Sequence, residues 1–143
     1  MEEEKLDISS LKKAYGAYSS ALEMALNMES NPMKMDYMKE TVRTSLIHHF
    51  EILYELSWKS MKRYIEIDEG HDDNLTRRGL FRQAGEKELI NDFDKWMSFH
   101  KSKNLTSQTY NEKTATKVYI IAKDFDKYVK SLISTLEKQI EEL

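Results

Sequence analysis

Apolar residues recur at three- and four-residue steps along most of the chain, and polar breaks divide the pattern into five helical segments. On the first, Leu11, Tyr15, Tyr18, Leu22 and Leu26 form one stripe, and Ser9 or Ser10 can cap its start. It should stop near Ser30-Asn31-Pro32, because a proline disfavours helical geometry in the residue before it. Met24, Met28, Met33, Met35 and Met38 gather at this corner, where adaptable packing of the core is the expected use. A longer helix from about Asp36 to about Ile67 turns Met38, Val42, Leu46, His49 or Phe50, Leu53, Leu56, Met61, Tyr64 and Ile65 to one side.

Asp68 to Asn74 reads as a loop, after which Asn74 or Thr76 can cap a short helix carrying Leu75, Leu80, Phe81 and Ala84 and ending at Gly85. Phe93, Trp96, Met97 and His100 predict a second short helix. It leads into Lys103-Asn104-Leu105-Thr106-Ser107-Gln108-Thr109-Tyr110, the one densely polar, hydroxyl-rich stretch between strongly helical ones. Thr109 and Glu112 fit a capping box for the last helix, although Asn104 can also begin it. Val118, Ala122, Phe125, Val129, Leu132, Leu136, Ile140 and Leu143 then keep a three-four spacing like a bundle seam. Near its start Val118, Tyr119, Ile120, Ile121 and Ala122 point apolar groups all round the helix, which predicts a second buried interface and, most simply, a homodimer.

Composition agrees with this all-α picture. One proline and four glycines leave little punctuation for a many-turned β fold, and 143 residues suit a single domain. The expected fold is an up-and-down four-helix bundle with one or two extra short helices, spanning residues 1–143 with 1–7 frayed. The absence of cysteine excludes disulfides, Cys-ligated zinc and a thiol nucleophile. An acidic start and the lack of long apolar runs argue against a secretory signal and a membrane span, so the expected setting is the cytoplasm. A net charge of −3 gives no overall attraction to nucleic acid, so any RNA contact needs a local patch. Arg77, Arg78 and Arg82 are the densest such patch and can fork onto phosphate, or can simply form a solvated face.

Several chemistries fail on spacing. His48, His49, Glu51 and Glu55 lie within two turns, but no Glu-x-x-His pair occurs, and adjacent histidines diverge by roughly 100° on a helix. No metal site and no cofactor are expected. Neither Gly-x-Ser-x-Gly nor a glycine-rich phosphate loop is present.

Two segments carry a family resemblance. Phe50 to Lys59 matches the pattern Phe-Glu-x-x-Tyr-Glu-Leu-x-Trp-Lys, supplying Glu51, Glu55, Trp58 and Lys59, and Lys103-x4-Gln108-x-Tyr110 resembles an Arg-x4-His-x-Tyr signature, with Asn104 inside it. Both resemble the HEPN superfamily, in the branch of nucleotidyltransferase substrate-binding proteins that includes HepT-like toxins. The resemblance implies a component of a two-protein toxin-antitoxin-type system that binds a minimal nucleotidyltransferase. It implies that Tyr110 is the acceptor onto which that partner places AMP. Members with the full motif look like metal-independent ribonucleases, in which histidine moves a proton and arginine steadies phosphate charge. Here Gln108 has no titration near neutral pH and Lys103 lacks the planar fork, so ribonuclease activity is expected to be weak or absent. His100 lies outside the motif and reads as a helix-end residue. Two alternatives stay open: a ribonuclease toxin with an altered motif, and an RNA-binding module without chemistry that uses Arg77, Arg78, Arg82, Lys101 and Lys103.

Overall fold

The computed structural model describes residues 5–142. Three long helices, α1 (Ser9–Glu29), α2 (Asp36–Glu69) and α5 (Glu112–Glu142), are joined by the shorter α3 (Arg77–Glu86) and α4 (Phe93–Asn104). A single 3-10 turn, Thr106–Gln108, precedes α5. Helix α1 lies along α2, and α5 closes over α1, α2 and α4, while α3 braces α2 and α4. The all-α bundle with short additional helices is the expected one.

Phe125 on α5 occupies the centre of this arrangement. Its ring meets Tyr18 of α1 at 6.1 Å, Phe50 of α2 at 5.2 Å, and Trp96 and Phe99 of α4 at 5.4 and 4.8 Å, mostly edge to face. Edge-to-face geometry sets the positive ring edge against a negative ring face, which adds to the gain from apolar burial. One residue therefore touches three of the other four helices. The buried hydroxyl of Tyr18 donates to the backbone oxygen of Ala122 at 2.5 Å, so burial of that phenol leaves no unpaired donor.

Helix ends differ in detail from the sequence expectation. The carboxylate of Asp7, not Ser9 or Ser10, tethers the start of α1, accepting from Ser9 N at 2.9 Å and Ser9 Oγ at 2.7 Å. The first four residues of the expected frayed start, and Leu143 of the α5 seam, lie outside the described residues; Leu6 and Ile8 are buried in the core. Helix α2 continues to Glu69 and stops at Gly70, whose φ of 94° lies where a side chain would be strained. Thr76, of the two candidates, caps α3 by accepting from Gly79 N at 3.0 Å. Gly85 does not end α3, which runs on to Glu86 and leaves through Glu88 at φ 62°. Asn111 caps α5 in place of Thr109 or Asn104, its carboxamide oxygen accepting from Lys113 N at 3.0 Å and Thr114 N at 3.2 Å. Asn104 instead belongs to the last turn of α4.

The methionine corner overturns an expectation. Met33 is 81% exposed, Met24 59% and Met35 56%, so these side chains do not fill the core, whereas the half-buried Met28 packs against it as expected. Ala21 and Ala25 are the buried residues of α1 there, and Leu26 of the expected stripe points outward. Small residues at the inner face allow close approach of a neighbouring helix, leaving no room behind which longer side chains could tuck.

Replacing Phe125 with alanine should cost about 3–5 kcal/mol, the usual range for a fully buried aromatic. A urea titration reads this directly. A loss below about 1 kcal/mol would mean that the ring cluster is not the centre of the fold.

Candidate functional site

Residues 54, 55 and 58 of α2 fall on the side that meets α3 and α4, because successive helical residues step by about 100°. Tyr54 is buried, Glu55 and Trp58 half-buried. Around them α4 contributes His100, Lys103 and Asn104 on adjoining turns, and α3 contributes Arg77 at its first position.

Glu55 is engaged at both oxygens. Lys103 Nζ lies 3.0 Å from Oε1, and the indole Nε1 of Trp58 donates to Oε2 at 3.1 Å. Burial, the largest influence, raises the pKa of Glu55; Lys103, Trp58 and Arg77 together outweigh it and leave the carboxyl below its ordinary value. Arg77 takes a different support: its guanidinium stacks 3.6 Å above the Trp58 ring, and Nη1 donates to the Tyr54 hydroxyl at 3.0 Å.

A guanidinium only donates, so the Tyr54 oxygen accepts from Arg77 and passes its own hydrogen to His100 Nδ1 at 2.9 Å. Arg77 Nη1 also lies 3.4 Å from Nδ1, so donors converge on that nitrogen and favour the neutral Nε2–H tautomer, which requires the Asn104 carboxamide, whose Nδ2 lies 3.4 Å from Nε2, to turn its oxygen toward the ring. Burial first, then the charges of Arg77 and Lys103, lower the His100 pKa against a smaller opposing pull from Glu55. Burial pushes the Tyr54 phenol up to about 12, with Arg77 working against it. The result is a relay from Arg77 through Tyr54 and His100 to an exposed amide.

The structure therefore brings together Glu55, Trp58, Arg77, Lys103 and Asn104, and leaves the other sequence candidates apart. Glu51 is half-buried one turn earlier on α2, and Lys59 is exposed with its ammonium 5.8 Å from the Trp58 ring. Arg78 and Arg82 diverge from Arg77 and sit over Phe93 at 5.6 and 5.8 Å. Gln108 is exposed at the end of the 3-10 turn, its backbone N–H donating to Leu105 O at 2.9 Å. His49 is bonded to Ser45 O through Nδ1, and among the described residues no group of three His, Asp or Glu side chains is arranged for a metal. Sequence reasoning missed Tyr54 as a polar hub and treated His100 as a helix end. The available signal was spacing: His100 and Asn104 are four apart on α4, hence on one face.

Tyr110 stands in a second setting. It is 89% exposed, on the turn between the 3-10 segment and α5. The chain on either side is fastened: Thr106 and Thr109 hydroxyls donate to Lys103 O and Thr106 O at 2.8 and 3.1 Å, Asn111 caps α5, and Arg43 grips both oxygens of Glu112 at 2.6 and 3.0 Å. The backbone is held and the phenol is presented to solvent. A cavity of about 410 Å³, walled by Met28, Val42, Arg43, Glu112 and Tyr119, opens beside this turn.

These positions can be set beside known proteins. The family described as nucleotidyltransferase substrate binding protein like matches residues 6–138. This chain belongs to that family. It is 30% identical over 128 residues to a Haemophilus influenzae protein named probable ribonuclease HepT, covering 87% of this chain and 88% of that one. A solved Haemophilus influenzae structure, described as the fold of a substrate binding domain of a nucleotidyltransferase, superposes with a TM-score of 0.84 at 27% identity, covering 92% of this chain and 99% of the other. A Thermus thermophilus structure shares the fold at a TM-score of 0.64 and 22% identity, over 83% of this chain and 98% of that one. The family match spans both the α2 cluster and the Tyr110 turn.

Because the His100 pKa is lowered on folding, the unfolded chain takes up that proton first as pH falls. The contribution of the neutral ring is complete above 6.5 and is lost as pH falls through the lower folded value. His71 acts in the opposite sense, since its bonds to Glu66 and Asp73 raise its pKa. The expected result is that a His100→Gln variant loses less stability than wild type between about pH 7.5 and about pH 5.5, measured by urea unfolding. Parallel pH profiles would show that the relay does not hold the ring neutral.

Proposed function

We propose that this chain is the binding partner and protein substrate of a minimal nucleotidyltransferase, with Tyr110 as the residue that receives AMP, in a toxin-antitoxin-type pair. The observation that carries this reading is the exposed Tyr110 phenol on a turn fastened at both ends. A modifying enzyme needs an acceptor oxygen that enters its own site while the surrounding chain stays ordered. In the transfer, the phenol oxygen bonds to the α-phosphorus of a nucleoside triphosphate, the bond to the β-phosphate bridge breaks, and pyrophosphate leaves. The phenolic proton goes to a base of the partner, which also supplies the metal site. The expected setting is the cytoplasm.

Ribonuclease activity is weak or absent on this reading. Lys103 is already neutralised by Glu55, and Gln108 has no proton to exchange near neutral pH. The chain works as a homodimer, for which Ile120, 56% exposed on α5 between the half-buried Tyr119 and Ile121, is the supporting surface.

The test is the intact mass of wild type and Tyr110→Phe after incubation with a candidate nucleotidyltransferase, ATP and Mg²⁺. Nucleotide addition to wild type alone is the expected outcome. Addition to both would place the acceptor elsewhere, and addition to neither, by a partner active on a relative, would remove the substrate role.

A further inference from the structure

The cavity of about 410 Å³ beside the Tyr110 turn lies in the size range of sites that enclose small molecules. Helices α1, α2 and α5 wall it, each with one face. Glu112, Thr116 and Tyr119 of α5 line it at four- and three-residue spacing, and Lys39 and Arg43 of α2 at four. From Glu112 to Tyr119 the wall measures roughly 10 Å along the helix, the length of an extended nucleoside monophosphate.

The two ends of that wall differ in chemistry. At the first, Arg43 forks onto both oxygens of Glu112 at 2.6 and 3.0 Å, yet the Glu112 side chain stays 77% exposed against 21% for Arg43. An exposed carboxylate returns to water at little cost, so a phosphate can take its place on the fork. At the second, the Tyr119 hydroxyl and Lys123 Nζ both bond to one oxygen of Glu29, Oε1, at 2.7 and 2.6 Å, which leaves Oε2 able to accept. Ala25, Met28 and Val42 add an apolar surface. A cationic fork, an apolar surface and an acceptor suit, respectively, the phosphate, the base plane and the amine or hydroxyl donors of a nucleotide.

Tyr110 is placed to deliver one. Two residues of chain, at most about 7 Å, separate it from Glu112, and its phenol is exposed. Such a tether raises the local concentration of an attached group to about the millimolar range, so even a weak site fills.

We infer that the cavity receives the AMP carried by Tyr110, its phosphodiester replacing Glu112 on Arg43. This occupancy rests on the substrate role of Tyr110 and gives the modification a structural consequence. The tie between α2 and α5 passes from Glu112 to the modified tyrosine.

The experiment follows methionine methyl groups by NMR in protein carrying ¹³C-labelled methionine. Met28 lines the cavity, and the fully buried Met61 lies apart from it. The phenyl ester of AMP, which copies the tyrosyl phosphodiester, is titrated into unmodified protein. Met28 should shift and saturate with a dissociation constant of about 1 mM or less, while Met61 stays in place. Thr116 is an exposed wall residue, so Thr116→Trp fills the cavity without entering the core and should abolish the shift. Arg43→Gln should weaken binding at least about tenfold, the loss of one charged hydrogen bond, and Glu112→Gln should strengthen it by removing the competing carboxylate. In protein modified on Tyr110, Met28 should sit at the ester-saturated position. Modified protein with Met28 unmoved, or a shift that survives Thr116→Trp, would overturn the cavity site and leave the acceptor in place. Phenyl phosphate giving the same shift at the same concentrations would also overturn it, because an anion without a nucleoside would then be enough. Absence of nucleotide from Tyr110 in the intact mass would remove the substrate role, and this occupancy with it.

Discussion

A carboxylate drawn partly out of water has to find positive charge, and at Glu55 that requirement ties α2 to α4 through Lys103 while Trp58 takes the second oxygen. Everything around the cluster follows from how those oxygens are used. Once Glu55 is committed, Arg77 has no carboxylate left and settles on the Trp58 face and the Tyr54 hydroxyl. That bond turns the tyrosine's proton toward His100, and burial, joined by the charges of Arg77 and Lys103, lowers the pKa of the imidazole. The same ion pair holds the Lys103 ammonium against α2. Lys103, matched in sequence to the arginine of the resembled motif, acts as a strut between two helices.

The contrast with Tyr110 is physical. Buried phenols in this fold are bonded: Tyr18 to a backbone carbonyl, Tyr54 to Arg77 and His100. Such groups resist ionisation and cannot leave without stranding a partner. Tyr110 bears no such duty, and the contacts that order its turn belong to its neighbours. A site that accepts a group from another enzyme is served by that division, with rigidity in the backbone and freedom in the reacting side chain. The cavity beside Glu112 and the exposed methionines of the α1–α2 corner add adaptable surface.

Much of the fold was legible in the residues. The α2 and α5 seams follow from three-four spacing, and Phe50, not His49, takes the inner position, as its larger apolar area favours. What spacing could not show is which of two equivalent choices tertiary contacts select. Asp7 and Asn111 win the caps over equally suitable hydroxyls, and Ala21 and Ala25 displace Leu26 and the methionines because a helix must come close. The arginine trio looked like one patch, yet the 100° step of α3 sends Arg77 inward and Arg78 and Arg82 to Phe93. For the site, Glu55, Trp58, Lys103 and Asn104 were visible as motif positions. Tyr54 is a motif position too, but its pairing with His100 was hidden, since that contact spans 46 residues of sequence.

On the proposed function, Lys103 and Gln108 are the two positions that separate acceptor from nuclease in this chain. Restoring both, as Lys103→Arg with Gln108→His, and measuring cleavage of single-stranded RNA tests it most directly. A planar fork can pair with Glu55 and still reach phosphate, and an imidazole can exchange the proton that a carboxamide cannot. Cleavage by the restored variant at least about a hundredfold above wild type is the expected result, the usual gain from general acid-base catalysis. Equal cleavage by wild type and the restored variant would contradict it.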